Sequence, residues 1–375
     1  MTRAAATSGD DGRLSVLVWT RHGRRGAASR LRLLELLPGL RDFGVEATAQ
    51  SFFADDVLRE GGDGGDGKLV AALGGVRRRV SSMLASRRSE VVLIEKEALP
   101  FVPWPLEAAL LAGARVVVDL GDARFLHHQQ HRSRLVRRLL GGKIAALVRR
   151  ANVVVVGNAT LAAWARSEGA RDVVVVPTSI DLSRHRPRPA DPTRPFTIGW
   201  IGSPTTAAYL RPLAPVLGDI ARRGLADVHL VGAGRAAPSD LPATAFAWDE
   251  ATEVERLARF DVGIVPLAHG PWEQAKSPYK LLQYMAMALP VVATPVGAAR
   301  EIIRHGGNGF LADGDDDWRR TLEQLRTDAD LRRRVGLAAR RTVEASFSRE
   351  QVLPVLAAAL WRAAARSRGD HRSSS

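Results

Sequence analysis

Three observations predict an α/β protein made of two doubly wound domains. Short, continuously apolar runs alternate with longer amphipathic stretches, as in parallel sheets covered by helices on both faces. The alternation stops at a segment rich in Pro and Arg, residues 183–195, and then begins again. The 375 residues also exceed what one hydrophobic core usually holds, and an apolar content of 46% is enough to fill two. The expected domains are residues 1–185 and 186–375, with a last helix near 349–365 packing back toward the first domain.

In the first half a strand at 14–19 leads through the glycine-bearing loop 23–26 into a helix over about 29–40, followed by a strand at 45–52. Residues 60–67 offer almost no side chains to pack and read as a mobile loop. Further strands are expected at 91–95, 115–120, 152–157 and 173–177. After the linker, strands at 197–201, 228–232, 262–266 and 291–294 alternate with helices near 212–223, 251–259 and 279–289. Helices at 316–325, 330–344 and 349–365 close the chain, and residues 369–375 read as disordered. Two such domains place a ligand cleft between the carboxyl ends of both sheets.

Residues 260–312 carry the most chemistry. A charged turn with Glu273 and Lys276 connects a strand to a helix, Pro278 sits where the first helical turn begins, and Pro290 closes the segment. Proline suits that position because its missing N–H has no intrahelical partner there, and the neighbouring free N–H groups form a positive end that attracts anions. Lys276 and Lys280 add full charge to it. Only five of the 54 basic residues are lysine, yet two fall within this turn. A compact ammonium is a common phosphate ligand; the plainer reading is a solvated face flanking a core helix.

Composition excludes several classes. Without cysteine there are no disulfides, thiolate catalysts or Cys-based zinc sites, which suits a reducing cytoplasm. No secretory signal pattern is visible, and the apolar stretch 105–120 is interrupted by Glu107 and Arg115 before it could span a bilayer. The net charge of +14 admits nucleic acid, anionic lipid or an anionic substrate as partner. Nucleic acid ranks last, because aromatic residues are only 6% and do not interleave with the basic ones. Residues 132–150 hold seven cations and no acid, with Leu135, Leu139, Ile144 and Leu147 at near-helical spacing. Such a helix can lie on the inner face of an anionic membrane, or simply bury its apolar side. Gly232, Gly234 and Ala237 imitate a dinucleotide fingerprint, but Pro238 follows and no helix opens, so a strand-end loop is expected. His127, His128 and His131 read as helix-surface residues rather than metal ligands, and the acids at 313 and 315–317 as a charged helix start.

Taken together, several segments resemble family 4 of the retaining glycosyltransferases, enzymes of the GT-B fold with two Rossmann-like domains facing across a cleft. They are Gly26-Ala27-Ala28-Ser29-Arg30, DLGDA from Asp119, Gly157-Asn158, Pro177-Thr178-Ser179-Ile180-Asp181, IGWIGSPTT from Ile198 with Tyr209-Leu210, and above all residues 260–312. The resemblance covers most of the chain. It implies transfer of a sugar from a nucleotide diphosphate sugar to an acceptor hydroxyl with retention, without a metal or other cofactor. The donor site it implies comprises Gly26, Gly202, Ser203, Thr206, Glu273, Lys276, Ser277, Pro278, Tyr279, Lys280 and Gln283. Lys276 and Lys280 would stabilise the leaving diphosphate. On the acceptor side it implies Arg30, Glu95, Asp119 and Asp122, with Glu97 beside Glu95 and with Asp122 as the catalytic candidate; Asp122 read alone equally suits a cap for the helix from Ala123.

The departures are specific. Many members carry two glutamates eight positions apart, and those positions fall on Ala275 and Gln283 here. Gln283 keeps hydrogen-bonding capacity. Ala275 does not, so Glu273 or backbone groups would have to serve the sugar. A non-catalytic binding or scaffold protein is therefore the alternative reading.

Overall fold

The structure is a computed structural model in which residues 12–53, 65–85, 89–187 and 193–365 are described. It comprises two compact units, residues 1–178 with 350–375 and residues 179–349. The sequence segments 60–64 and 369–375 lie outside the described residues.

The first unit is built on six parallel strands, β1 (Leu14–Thr20), β2 (Val45–Ser51), β3 (Val91–Glu95), β4 (Val116–Leu120), β5 (Val153–Val156) and β6 (Val173–Val175), in the order β2-β1-β3-β4-β5-β6. β3, β4 and β5 are buried along their whole length, which explains their uninterrupted valines. Leu14, Val16 and Val18 of β1 share a core with Val352, Leu356 and Leu360 of the final helix, Arg349–Ala365.

The second unit has β7 (Thr197–Ile201), β8 (Asp227–Val231), β9 (Thr244–Phe246), β10 (Val262–Val265), β11 (Val291–Ala293) and β12 (Phe310–Leu311), in the order β12-β11-β10-β7-β8-β9, again parallel. One face packs Ile198, Trp200, Leu217 and Leu322 together. The other packs Leu281, Tyr284 and Met285 of the helix Tyr279–Ala286 against Ile201, Val265 and Val343. The short strands β9 and β12 carry too few apolar residues to announce themselves in the sequence.

Several expectations are corrected. The helix at 29–40 is replaced by a short turn Ala27–Ser29, a π-helical turn Arg30–Leu34 and a 3-10 turn Pro38–Phe43, because Pro38 cannot donate the bond that would continue an α-helix. Residues 65–67 do not form a loop but open the helix Gly65–Ala85. The helix expected at 279–289 stops at Ala286; Ala288 takes a left-handed φ of 56° two residues before Pro290, and the residue preceding a proline avoids the helical region. The expected single amphipathic helix over 132–150 is two helices, Arg134–Leu140 and Lys143–Arg150, separated by Gly141 and Gly142. Ile144 and Leu147 are core, whereas Leu135 and Leu139 are exposed.

The helix Tyr279–Ala286 is fixed by one bond and one close approach. The Ile201 N–H at the end of β7 donates to the buried Tyr284 hydroxyl at 2.9 Å. The Tyr284 ring lies so close to β10 that a Cβ at Gly263 would come within 2.3 Å of it. Helix position is thereby tied to the carboxyl end of β7 and to the body of the adjacent β10.

At the start of this unit His185 is buried beneath Arg340, with Nδ1 2.9 Å from the Asp181 carbonyl and Nε2 without a partner. Burial lowers its pKa to about 4. A histidine with a folded pKa below its unfolded value of about 6.5 costs stability as pH falls, since only the unfolded chain takes up the proton between the two values. Lowering pH from 7 to 5 is expected to remove about 2 kcal/mol from the second unit through this residue. Urea unfolding at both pH values, compared between the native chain and His185→Gln, checks it: the variant should show a shallower dependence.

Candidate functional site

The second unit gathers charge at the start of the Tyr279–Ala286 helix. Pro278 is the N-cap, one position earlier than the sequence suggests, with φ −91° and ψ 42°, and Tyr279 begins the helix. Lys280 is part-buried. Its ammonium donates to the Thr206 hydroxyl at 3.0 Å and lies 4.2 Å from the centre of the Trp200 ring. Burial, and after it the charge of Lys276, lowers the Lys280 pKa to about 7. Gly202 follows β7 at this point, and a Cβ there would meet Lys280 Nζ at 2.4 Å and the Trp200 ring at 2.5 Å. Only glycine lets the ammonium approach the backbone so closely.

Thr206 is held in turn. Ser203 N–H donates to its hydroxyl at 3.0 Å, and that hydroxyl donates to the Ser203 carbonyl at 3.0 Å, a capping box on the turn Pro204–Ala207. Lys276 places its ammonium 4.9 Å from the centre of the Tyr209 ring. The Tyr209 hydroxyl donates to Glu273, and burial, followed by that bond, pushes the phenol above its ordinary pKa. The preceding loop is anchored where Gly297 N–H donates to the Gln274 side chain at 3.1 Å. Thus Gly202, Ser203, Thr206, Glu273, Lys276, Pro278, Tyr279 and Lys280 belong to one neighbourhood, with Ser277 between the two lysines in sequence. Gln283 is buried on the helix one turn beyond Tyr279, and Ala275 is buried as well. The partners Trp200 and Tyr209 are additions; their sequence signal was the aromatic residue beside each glycine- or threonine-bearing turn.

In the first unit the carboxyl ends of β3 and β4 collect acids, but most are already engaged. Arg32 grips Asp119 with Nε at 2.9 Å and Nη2 at 2.7 Å, and uses Nη1 on the Val176 carbonyl at 2.7 Å. The expectation that Asp119 faces an open acceptor side gives way to this buried fork. Glu95 accepts from the Arg21 N–H at 2.8 Å and the Ser29 hydroxyl at 2.6 Å, which fixes the loop after β1. Arg30 is buried, with Nε 3.4 Å from Glu35. Gly26 caps the Ala27–Ser29 turn, and a Cβ on it would strike His22 at 2.3 Å.

Glu97 is the centre of a second buried cluster. Arg21 binds Oε1 at 2.9 Å, while His128 at 3.2 Å and Lys143 at 3.1 Å share Oε2. Burial alone would raise its pKa, but the His128 bond and the charges of Lys143 and Arg21 hold the carboxyl well below the usual range. His128 is therefore an interior residue, contrary to its expected place on a helix surface. Lys143 is also buried and reaches Glu107 at 2.9 Å, so it belongs to the core and not to a basic surface.

Asp122 differs from these acids. It is partly exposed; Oδ2 takes a 2.6 Å bond from Lys96, whose backbone φ of 65° turns it back after β3, and Oδ1 has no hydrogen-bond partner. The Asp122 side chain makes no cap bond to the helix Arg124–Gln129; Ala123 is the N-cap there, and the Arg124 N–H donates to the Asp122 carbonyl at 2.9 Å. The acids at 315–317 occupy the first turn of the helix Asp315–Thr327, as a charged helix start requires, and no group of three potential metal ligands occurs among the described residues. Gly234–Ala236 forms one 3-10 turn, so no helix opens on the Gly232 loop.

Residues 196–328 match the family described as Glycosyl transferases group 1. The chain is similar to Anabaena HepE in complex with UDP-glucose, at 15% identity and a TM-score of 0.67 over 93% of this chain and 99% of that one. It is similar to the same degree, 15% and 0.67 over 93% and 98%, to a sucrose-phosphate synthase from Thermosynechococcus elongatus. A glycosyltransferase from Rickettsia africae aligns at 14% identity and 0.65 over 95% and 100%. No curated protein sequence matches. At these identities the structural likeness establishes the GT-B fold.

The Arg32 fork on Asp119 generates a stability prediction. Asp119→Asn leaves a buried guanidinium without its counter-charge and is expected to cost about 3 to 5 kcal/mol. Chemical denaturation of the purified variant measures this, and a loss under about 1 kcal/mol would mean that the pair is dispensable.

Proposed function

From a chain with the GT-B fold and a group 1 glycosyl transferase domain over residues 196–328, we propose a retaining glycosyltransferase that moves a sugar from a nucleotide diphosphate sugar to an acceptor hydroxyl. The observation that carries this reading is the pair of ammonium groups, Lys276 and Lys280, at the start of the Tyr279–Ala286 helix, with Gly202 bare of side chain beside Lys280. As the sugar–diphosphate bond breaks, negative charge accumulates on the departing oxygens. Cations already in place stabilise that charge without reorganising. They supply what a divalent metal would otherwise contribute, and so the reaction needs none. UDP-glucose in the HepE complex supports a nucleotide diphosphate sugar as donor.

In the donor site the Lys280 ammonium and helix N–H groups meet phosphate, and the backbone of Gly202 and Ser203 adds donors. Gln283 takes the ribose hydroxyls. Glu273, oriented by Tyr209, takes sugar hydroxyls in place of a carboxylate at 275. On the acceptor side Asp122 is the residue of choice, because it alone of the acids there keeps a partly exposed side chain, with Lys96 holding Oδ2 and the buried Oδ1 making no hydrogen bond. Arg30, Glu95 and Asp119 act there as positioning residues for the surrounding loops. The acceptor is a glycan, a lipid-linked molecule or a natural product, met in the cytoplasm or at the inner face of a membrane. No helix among the described residues is long and apolar enough to cross one.

A second reading, a binding or scaffold protein that keeps the fold without turnover, is favoured by one feature: buried Ala275 presents no carboxylate. Calorimetry with UDP and GDP followed by a donor-hydrolysis assay separates the two, since the second reading requires binding with no turnover at all.

Lys276→Ala and Lys280→Ala are each expected to lower transfer by about 2 to 4 kcal/mol of transition-state stabilisation. Transfer kinetics unchanged in both variants and in the double would remove the lysines from the mechanism. Donor affinity should also fall with rising pH above about 7, where the free Lys280 must first take up a proton, approaching tenfold per pH unit. Nucleotide titrations at pH 6.5 to 8.5 test this, and Lys280→Arg, which keeps its proton throughout, should flatten the profile.

A further inference from the structure

The first unit carries an exposed apolar face for which the donor chemistry has no use. Three large hydrophobic side chains lie open around one groove: Phe101 is 55% exposed, Leu135 65% and Leu139 48%. Phe101, Leu135 and Leu139 line one groove of about 750 Å³, together with Arg124, His127 and Arg132. No acidic residue lines this groove, and none occurs in the sequence from 123 to 150.

Two features argue that the exposure is purposeful. Phe101 holds a backbone φ of 71°, a left-handed conformation that a bulky non-glycine residue adopts only at a cost. Its ring nonetheless stays more than half in solvent, with the Arg21 guanidinium 5.9 Å from its centre. The helix Arg134–Leu140 adds a second pattern. Positions 135 and 139 form one stripe at a four-residue spacing, and positions 134 and 138 form the adjacent one. An apolar stripe flanked by an arginine stripe is the arrangement of a helix lying in an interface between hydrocarbon and anionic headgroups. A soluble protein partner that covered the leucines would bury the arginines beside them unless it supplied acids.

We propose that this face, formed by Phe101 and the helix Arg134–Leu140, docks on an anionic lipid bilayer. Leu135, Leu139 and Phe101 enter the acyl boundary, and Arg132, Arg134 and Arg138 meet lipid phosphates. The proposal rests on the peripheral-membrane part of the function given above and narrows it: Lys143, Ile144 and Leu147 are interior and take no part. Arg124 lines the groove two residues from Asp122, so the docked face adjoins the acceptor side of the unit. The acceptor class it selects is an amphiphile held in that bilayer.

The full chain should float with phosphatidylglycerol vesicles, remain behind with phosphatidylcholine vesicles, and be released from the former by 1 M salt, an order-of-magnitude ionic strength at which screening is nearly complete. Leu135→Ser/Leu139→Ser and Arg134→Ser/Arg138→Ser are each expected to weaken vesicle partitioning by about tenfold or more. Both pairs are exposed, and circular dichroism and thermal shift with UDP or GDP report that fold and donor binding persist. Equal absence from both vesicle types overturns the proposal, as does anionic-vesicle binding that neither pair of substitutions weakens. A concentration-dependent dimer abolished by the leucine pair, without vesicle binding, also overturns it and assigns the face to a second copy of the chain. None of these outcomes touches the donor site, whose failure would appear separately as loss of nucleotide binding in the native chain.

Discussion

The candidate site depends on keeping one ammonium charged where little water reaches it. Lys280 has three compensations: the face of the Trp200 ring, the Thr206 hydroxyl and the closeness of bare backbone at Gly202. None is a counter-charge. A carboxylate partner would neutralise the site and compete with an incoming phosphate. An aromatic face and a hydroxyl steady the cation and leave its charge for a ligand. The cost of that choice is visible in the depressed pKa, since burial and Lys276 both disfavour the charged form. The negative charge of a diphosphate would favour the charged form and so offset both effects.

The rest of the second unit is arranged around that residue. Tyr284 and Gly263 set the helix against β10, the Ile201 N–H anchors Tyr284 at the end of β7, and Trp200 and Gly202 follow on the same strand end. Displacing the helix would therefore disturb the ring beneath Lys280 as well as the ammonium. The first unit solves a different problem. Its strand ends bring Glu95, Glu97, Asp119 and Asp122 together, and like charges at that density must be matched or neutralised. Arg32, Arg21, Lys143 and Lys96 each engage one of the four or its immediate neighbour. Of the four, Asp122 is the one whose side chain stays partly exposed.

What could be read from the sequence follows from how local the signals are. Apolar runs such as 91–95 and 153–156 name their strands because burial on both faces demands continuous valines and leucines. The helix after Pro278 was legible for the same reason, its turn chemistry being local. The helix over 29–40 misled because Leu33, Leu36 and Leu40 keep helical spacing and are indeed all core, while Pro38 forces a different backbone to present them. The acidic end of β4 misled through a long-range fact: Arg32 lies 87 residues from Asp119, and no spacing rule connects them. His128 likewise belongs on a helix by sequence, yet Glu97 draws it inward from 31 residues away.

The lysines show how composition carries information that position alone does not. In a chain whose basic residues are almost all arginine, the four lysines with described side chains each occupy a place suited to a compact ammonium. Lys143 meets Glu97, Glu107 and the Leu99 carbonyl, three acceptors around one nitrogen. A guanidinium directs its donors in one plane and does not gather three acceptors around one nitrogen. Lys96 reaches Asp122 from a left-handed turn, and Lys276 and Lys280 lie over tyrosine and tryptophan rings. Where arginine is the default cation, retaining lysine implies a local demand for a small charge that can approach from one direction. At Lys143 that demand is geometric and belongs to the core. At Lys280 it is set by the close approach, because the ammonium reaches the Thr206 hydroxyl at 3.0 Å beside a backbone that only glycine leaves open.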